Sequence, residues 1–180
     1  VNQGKGQFIR QTADRWWTAN RVAARGSVIA WGDYDADGFV DASLMVASQN
    51  YPGGRNALLH NEGDGTFTAI TNALNTVGDV NEGCAWVDYD GDGDVDLIAY
   101  RSLAPVPTQF YRNDGGGKFV VATPEPLRSE ARFGMGGAWG DFDNDGDLDL
   151  FFRGYGEPSR FYRAAKETVM AINDGNASVP

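Results

Sequence analysis

Hydrophobic and polar residues alternate along this chain in short runs of four to seven, separated by clusters of Gly, Asp, Asn and Pro. Alternation of this kind reads as half-buried β-strand, and the clusters read as turns. In the middle of the chain four such runs follow one another: Cys84–Asp88, Val95–Tyr100, Thr108–Arg112 and Lys118–Ala122. They are joined by an Asp-rich loop, a Pro-bearing connection and an Asn-Asp-Gly-Gly-Gly turn, which are hairpin signals. No stretch carries sustained helical periodicity; the segment Asp14–Ala24 has room for a helical turn at most.

The group of four runs recurs. Trp31-Gly32-Asp33-Tyr34-Asp35, Trp86-Val87-Asp88-Tyr89-Asp90 and Trp139-Gly140-Asp141-Phe142-Asp143 open successive copies, 55 and 53 residues apart. Leu58-Leu59-His60-Asn61-Glu62-Gly63 matches Phe110-Tyr111-Arg112-Asn113-Asp114-Gly115, and Phe161-Tyr162-Arg163 begins the same segment a third time. Four short antiparallel strands per period of about 50 residues is the pattern of a β-propeller blade. The expected fold is therefore all-β: three four-stranded antiparallel blades within one region, 1–180. The blades fall at 26–71, 82–123 and 135–173, and residues 1–12 read as an extra outer strand of a preceding repeat. Three blades cannot close a ring, so further blades from a parent chain, or a second copy, are expected partners.

The loop between the first two strands of each copy carries the chemistry. Asp falls at positions 1, 3, 5 and 9 and Gly at position 6: Asp33, Asp35, Asp37, Gly38 and Asp41; Asp88, Asp90, Asp92, Gly93 and Asp96; Asp141, Asp143, Asp145, Gly146 and Asp149. Carboxylates packed this densely repel one another unless a hard cation shares them, and Ca²⁺ takes six to eight oxygens. These are not EF-hands, because position 12 is Leu44, Ala99 or Phe152 where a bidentate Glu would be required, and strands rather than helices flank each loop.

The net charge of −10 argues against nucleic acid and anionic membrane surfaces. Fourteen of the 25 acids lie in the three loops, so three Ca²⁺ ions would leave about −4. A single cysteine, Cys84, excludes an internal disulfide framework and reads as an inert inner-strand thiol. No apolar run reaches membrane-span length, and no signal peptide is visible in a chain that begins at Val1. His60, the only histidine, aligns with Arg112 and Arg163 on what reads as a solvated hairpin, and with one Cys and one His no nucleophilic triad can be assembled. Gly115-Gly116-Gly117 sits in a hairpin, the wrong context for a phosphate loop. Trp31, Trp86 and Trp139 recur at one repeat position and are expected between blades.

The run Ala-Trp-Gly-Asp-Tyr-Asp-x-Asp-Gly-x-x-Asp, followed by Tyr-Arg-Asn-x-Gly-x-Gly-x-Phe, resembles the FG-GAP/VCBS repeat of integrin α-subunit propellers. The resemblance covers nearly the whole chain. It implies one Ca²⁺ per loop, held by side chains 1, 3, 5 and 9 and the carbonyl of position 7, which here is Phe39, Asp94 or Asp147. It also implies a secreted or cell-surface location, with a periplasmic one as an alternative. A non-catalytic module binding a protein or glycan is the function expected. Alternatives are the propeller part of a secreted polysaccharide-active, lyase-like enzyme, or a structural subunit of an extracellular assembly. Because the Asp loops crowd one end of the blades, ligand binding is expected at the other end, at Arg15, Trp16, Trp17, Arg21, Arg25, Tyr51, Arg55, Arg132 and Tyr155.

Overall fold

The structure is a computed structural model that describes residues 27–46, 56–70, 74, 81–102, 107–130, 133–164 and 171–173. The expected N-terminal strand and the segment Asp14–Ala24 lie outside these residues, as do Arg15, Trp16, Trp17, Arg21, Arg25, Tyr51, Arg55 and Arg132.

Among the described residues the strands form three four-stranded antiparallel sheets, each with its strands in sequence order. The first holds β1 (Ser27–Gly32), β2 (Asp41–Val46), β3 (Ala57–Asn61) and β4 (Phe67–Ile70). The second holds β5 (Asn81–Val87), β6 (Asp96–Arg101), β7 (Gln109–Asn113) and β8 (Phe119–Val121). The third holds β9 (Gly134–Gly140), β10 (Asp149–Gly154), β11 (Arg160–Arg163) and β12 (Ala171–Asn173). These are propeller blades, as the alternating runs require. One turn of helix, α1 (Leu127–Glu130), lies between the second and third blades, where no helical periodicity was expected. It seats Leu127, 1% exposed, in the core between those blades.

The blades stack face to face, and the strand period of two sorts side chains between successive cores. Every residue of β6 is buried. Leu97 and Ala99 join Met45, Leu58 and Tyr111 between the first and second blades. Ile98 and Tyr100 join Phe110, Leu150, Phe152 and Tyr162 between the second and third. A strand covered on both faces needs no polar positions, which explains the unbroken run Leu97-Ile98-Ala99-Tyr100. In β10 Leu150 and Phe152 are buried while Phe151, pointing away from the second blade, is 50% exposed.

The recurring tryptophans divide by blade. Trp86 stacks on Tyr34 at 6.2 Å and packs against Phe119 at 5.8 Å. Trp139 meets Phe110 edge-on, and its Nε1 donates to the Tyr100 hydroxyl at 2.9 Å. Trp31 departs from the expectation: it is 60% exposed and pairs with Phe67 at 6.2 Å, because it faces away from the second blade. The small residues near the first strand of each blade also have a local cause. A Cβ on Gly32 would come within 2.5 Å of the Trp86 ring, so glycine is what lets that indole lie between the blades.

Candidate metal-binding loops

Register places the three loops identically. Gly32 pairs with Asp41, Val87 with Asp96, and Gly140 with Asp149, so position 9 of each loop is the first ladder residue of the returning strand. That position is the anchor. Asp41, Asp96 and Asp149 are 0%, 0% and 2% exposed. One carboxylate oxygen accepts the N–H of position 2, from Tyr34 at 3.2 Å, Tyr89 at 3.1 Å and Phe142 at 2.9 Å. The other accepts the N–H at the end of the third strand, from Asn61 at 2.7 Å, Asn113 at 2.8 Å and Ala164 at 2.9 Å.

Position 1 folds the loop over itself. Asp33, Asp88 and Asp141 each accept the N–H of position 5 at 3.1 Å. They also accept the glycine N–H of position 6, at 3.0, 3.0 and 3.1 Å respectively. Position 5 in turn accepts the N–H of position 7: Asp37 from Phe39 at 2.8 Å, Asp92 from Asp94 at 3.0 Å and Asp145 from Asp147 at 3.0 Å. The tight wrap needs left-handed backbone at positions 4 and 6. Gly38, Gly93 and Gly146 have φ of 91°, 98° and 97°, and Ala36, Gly91 and Asn144 have φ of 58°, 73° and 59°. Position 6 was legible as glycine; position 4 was not, because Ala and Asn also stand there.

Ligand atoms from positions 1, 3 and 9 lie within 4.8 Å of one another in the second and third loops, as Asp88, Asp90 and Asp96, and Asp141, Asp143 and Asp149. In the first loop two overlapping sets do so: Asp33, Asp35 and Asp37, and Asp35, Asp41 and His60. At position 3 Asp90 accepts the Asp92 N–H, and the other two carboxylates differ from it. Asp35 Oδ1 and both oxygens of Asp143 are shielded from solvent and accept no hydrogen bond, although Asp143 has the Arg163 guanidinium beside it as an ion-pair partner. Burial pushes Asp96 up to about 6. Burial also raises Asp41 and Asp90, with neighbouring carboxylates adding to the shift in both. Carboxylates made costly by burial and by one another, with shielded lone pairs converging, form a donor set that fits a hard divalent cation.

Two features were missed in the sequence. His60 is not on a free hairpin: Ala42 pairs with Leu59, so the next rung sets His60 across from Asp41. Its Nδ1 lies 3.3 Å from Asp35 and 3.4 Å from Asp41. The second feature is the Asn that ends the third strand. Asn61 Nδ2 donates to Val40 O at 2.9 Å. Asn113 Nδ2 donates to Val95 O at 3.2 Å and, across the blade boundary, to Tyr34 O at 2.7 Å. Asn recurring at one repeat position was the available signal; the blade-to-blade bond was not visible without register.

Of the residues expected at the opposite end, Tyr155 is described; it is 49% exposed in the β10–β11 connection. Cys84 packs inward as expected, its thiol pushed up to about 11 by burial, 3.8 Å from the Ser43 hydroxyl. No helix among the described residues is long and apolar enough to cross a membrane.

Strand-first blades with an Asp loop in the first hairpin of each define a class, and sequence comparison agrees. The sequence model of the FG-GAP-like repeat matches residues 44–99 and 103–152. The chain belongs to that family. Each matched unit spans the Asp loop of one blade together with strands of the blade before it, so the family's repeat is offset from the structural blade. Among characterised proteins the chain is similar to cartilage acidic protein 1. It is 28% identical to the mouse protein over 184 residues, covering 91% of this chain and 25% of that one. It is 32% identical to the Xenopus tropicalis protein over 147 residues, covering 71% and 21%. The human protein is 27% identical over the same length and coverage. The chain thus spans about a quarter to a fifth of the relatives it matches.

Proposed function

We propose that the chain is a calcium-stabilised, non-catalytic interaction module that works outside the cell and binds a protein or a glycan. The observation that carries the reading is the repeated loop geometry: three buried position-9 carboxylates, each converging with the position-3 carboxylate, and at Asp35 and Asp143 with shielded oxygens that accept no hydrogen bond. Asp33, Asp35, Asp37 and Asp41 with the carbonyl of Phe39 form the first site. Asp88, Asp90, Asp92 and Asp96 with that of Asp94 form the second, and Asp141, Asp143, Asp145 and Asp149 with that of Asp147 the third. The cation's part is to neutralise the loops and lock each first hairpin; the ion count is three per chain. The similarity to cartilage acidic protein 1 supports an extracellular setting. The relatives are vertebrate proteins, and nothing among them favours the periplasmic alternative. The exposed faces of the first and third blades, with Trp31 60% and Phe142 61% exposed, are sites for further blades of a parent chain or a second copy.

Ligand binding is assigned to the end opposite the Asp loops. The test is a screen of the calcium-loaded chain against arrayed glycans and extracellular-matrix proteins, repeated with Trp16→Ala/Trp17→Ala. Hits that weaken in the double variant while calcium affinity holds support the assignment. Hits whose footprint maps to the Asp-loop end overturn it.

A further inference from the structure

The first loop differs from the other two in one donor, and that difference carries a metal preference. One repeat position in the third strand is His60 in the first blade, Arg112 in the second and Arg163 in the third. Arg112 Nε is turned to Asp114 at 2.7 Å. Arg163 pairs with Asp143. A guanidinium stays protonated and has no lone pair to give, so neither arginine can ligate a cation. His60 can. Its side chain is 22% exposed, and Nδ1 points between Asp35 Oδ2 at 3.3 Å and Asp41 Oδ1 at 3.4 Å. Nε2 lies 3.8 Å from Asp37 Oδ2. Despite that proximity, Nδ1 makes no hydrogen bond, and neither does Asp35 Oδ1; both atoms are shielded from solvent. Two side chains with shielded, unpartnered atoms, Asp35 and His60, thus meet beside the Asp41 carboxylate, which is 0% exposed. The ligand atoms of Asp35, Asp41 and His60 fall within 4.8 Å of one another.

We propose that the first loop is a mixed nitrogen–oxygen site that takes a borderline divalent cation, Zn²⁺ in the first instance, through Asp35, Asp41 and His60 Nδ1, while the second and third loops are all-oxygen sites. The inference rests on the reading of the Asp loops as metal sites and sharpens it for one of them. Imidazole suits Zn²⁺, whereas carboxylate and carbonyl oxygens suit Ca²⁺. Zn²⁺ is satisfied by four ligands, so three protein donors and one water complete its sphere. Ligation at Nδ1 requires the neutral ring with its proton on Nε2, the nitrogen 3.8 Å from Asp37 Oδ2. Asp33, which holds the loop backbone through Asp37 and Gly38, stays in place whichever ion is bound.

The experiment uses the whole chain with all three loops loaded with calcium. Because His60 is the only histidine, its ring nitrogens give a single pair of NMR signals. Titrating Zn²⁺ should shift the Nδ1 signal and displace one equivalent of calcium. The variant His60→Arg restores the residue that the other blades carry, so its fold is preserved by precedent within the molecule. It should weaken Zn²⁺ binding by at least tenfold, roughly the loss that follows disruption of a metal's supporting residues, and leave calcium stoichiometry unchanged. If the imidazole signals do not respond to Zn²⁺, or if His60→Arg binds Zn²⁺ as the parent does, His60 is an ion-pair partner only and the inference is overturned while the calcium sites stand. If neither cation binds any loop, the reading on which the inference rests fails with it.

Discussion

Replacing Asn113 with Ala removes more than one hydrogen bond, and its twin Asn61 provides the control inside the same molecule. Asn113 is 0% exposed. Its Nδ2 donates to Tyr34 O at 2.7 Å and Val95 O at 3.2 Å, and its Oδ1 accepts the Gly115 N–H at 3.2 Å. A net hydrogen bond contributes about 1 kcal/mol, and a buried carbonyl left without a donor costs about 1–3 kcal/mol. With Tyr34 O in the blade interface, Asn113→Ala should cost about 3–5 kcal/mol. Asn61 donates to Val40 O at 2.9 Å and accepts from Gly63 at 3.1 Å, both in exposed surroundings where water replaces the lost partner. Asn61→Ala should therefore cost about 1 kcal/mol. The third blade already carries Ala164 there, and its backbone N–H still reaches Asp149. Urea unfolding of parent and variants, each with calcium and with chelator, measures both costs. Equal losses for the two variants would refute the claim that the Asn113 side chain ties the first blade to the second.

Three further outcomes follow from the same geometry. Gly32→Ala places a methyl group 2.5 Å from the Trp86 ring and should lose about 1–3 kcal/mol by overpacking, read by thermal melting; a neutral result would mean the blades separate freely there. Ala36 sits at φ 58°, a conformation that costs an L-residue roughly 1–2 kcal/mol, so Ala36→Gly should raise the urea midpoint, the glycine's greater unfolded-state freedom notwithstanding. The buried Asp96 carboxyl, raised from 3.8 to about 6, holds its proton in the folded chain at a pH where the unfolded chain has lost it. The metal-free fold should therefore lose stability as pH rises through that window and level off above it. Calcium binds the ionised form, so its stabilising increment should shrink as pH falls below about 6, and an increment that grew on acidification would contradict the assignment.

The blade architecture was legible because its signals are local and repeated. Alternation marks strands, and a hairpin needs no long-range information to be placed. The Asp spacing was legible for the same reason, and register brought positions 1, 3 and 9 together as the pattern required. What sequence order could not give was the identity of cross-strand and cross-blade neighbours. His60 looked solvated because its place opposite Asp41 depends on the β2–β3 ladder. Asn113 looked like a turn residue because its partner Tyr34 lies 79 positions away. Trp31 looked like a core residue because the repeat made it equivalent to Trp86, yet equivalence of position does not supply a neighbouring blade. Helix α1 escaped because one turn is too short to carry a period.

The measurement that bears most directly on the whole account is calorimetric titration of calcium into the chelator-treated chain, with melting followed in parallel. Three binding events are expected, one per Asp loop. At an extracellular calcium concentration tenfold above Kd, each filled site should add about 1.4 kcal/mol, together a large share of a domain's net stability. Asp96→Asn, Asp41→Asn and Asp149→Asn should each remove one event and about a third of the calcium-dependent shift. A chain that melts at the same temperature with calcium and with chelator, and takes up no calcium in the titration, would contradict the central claim.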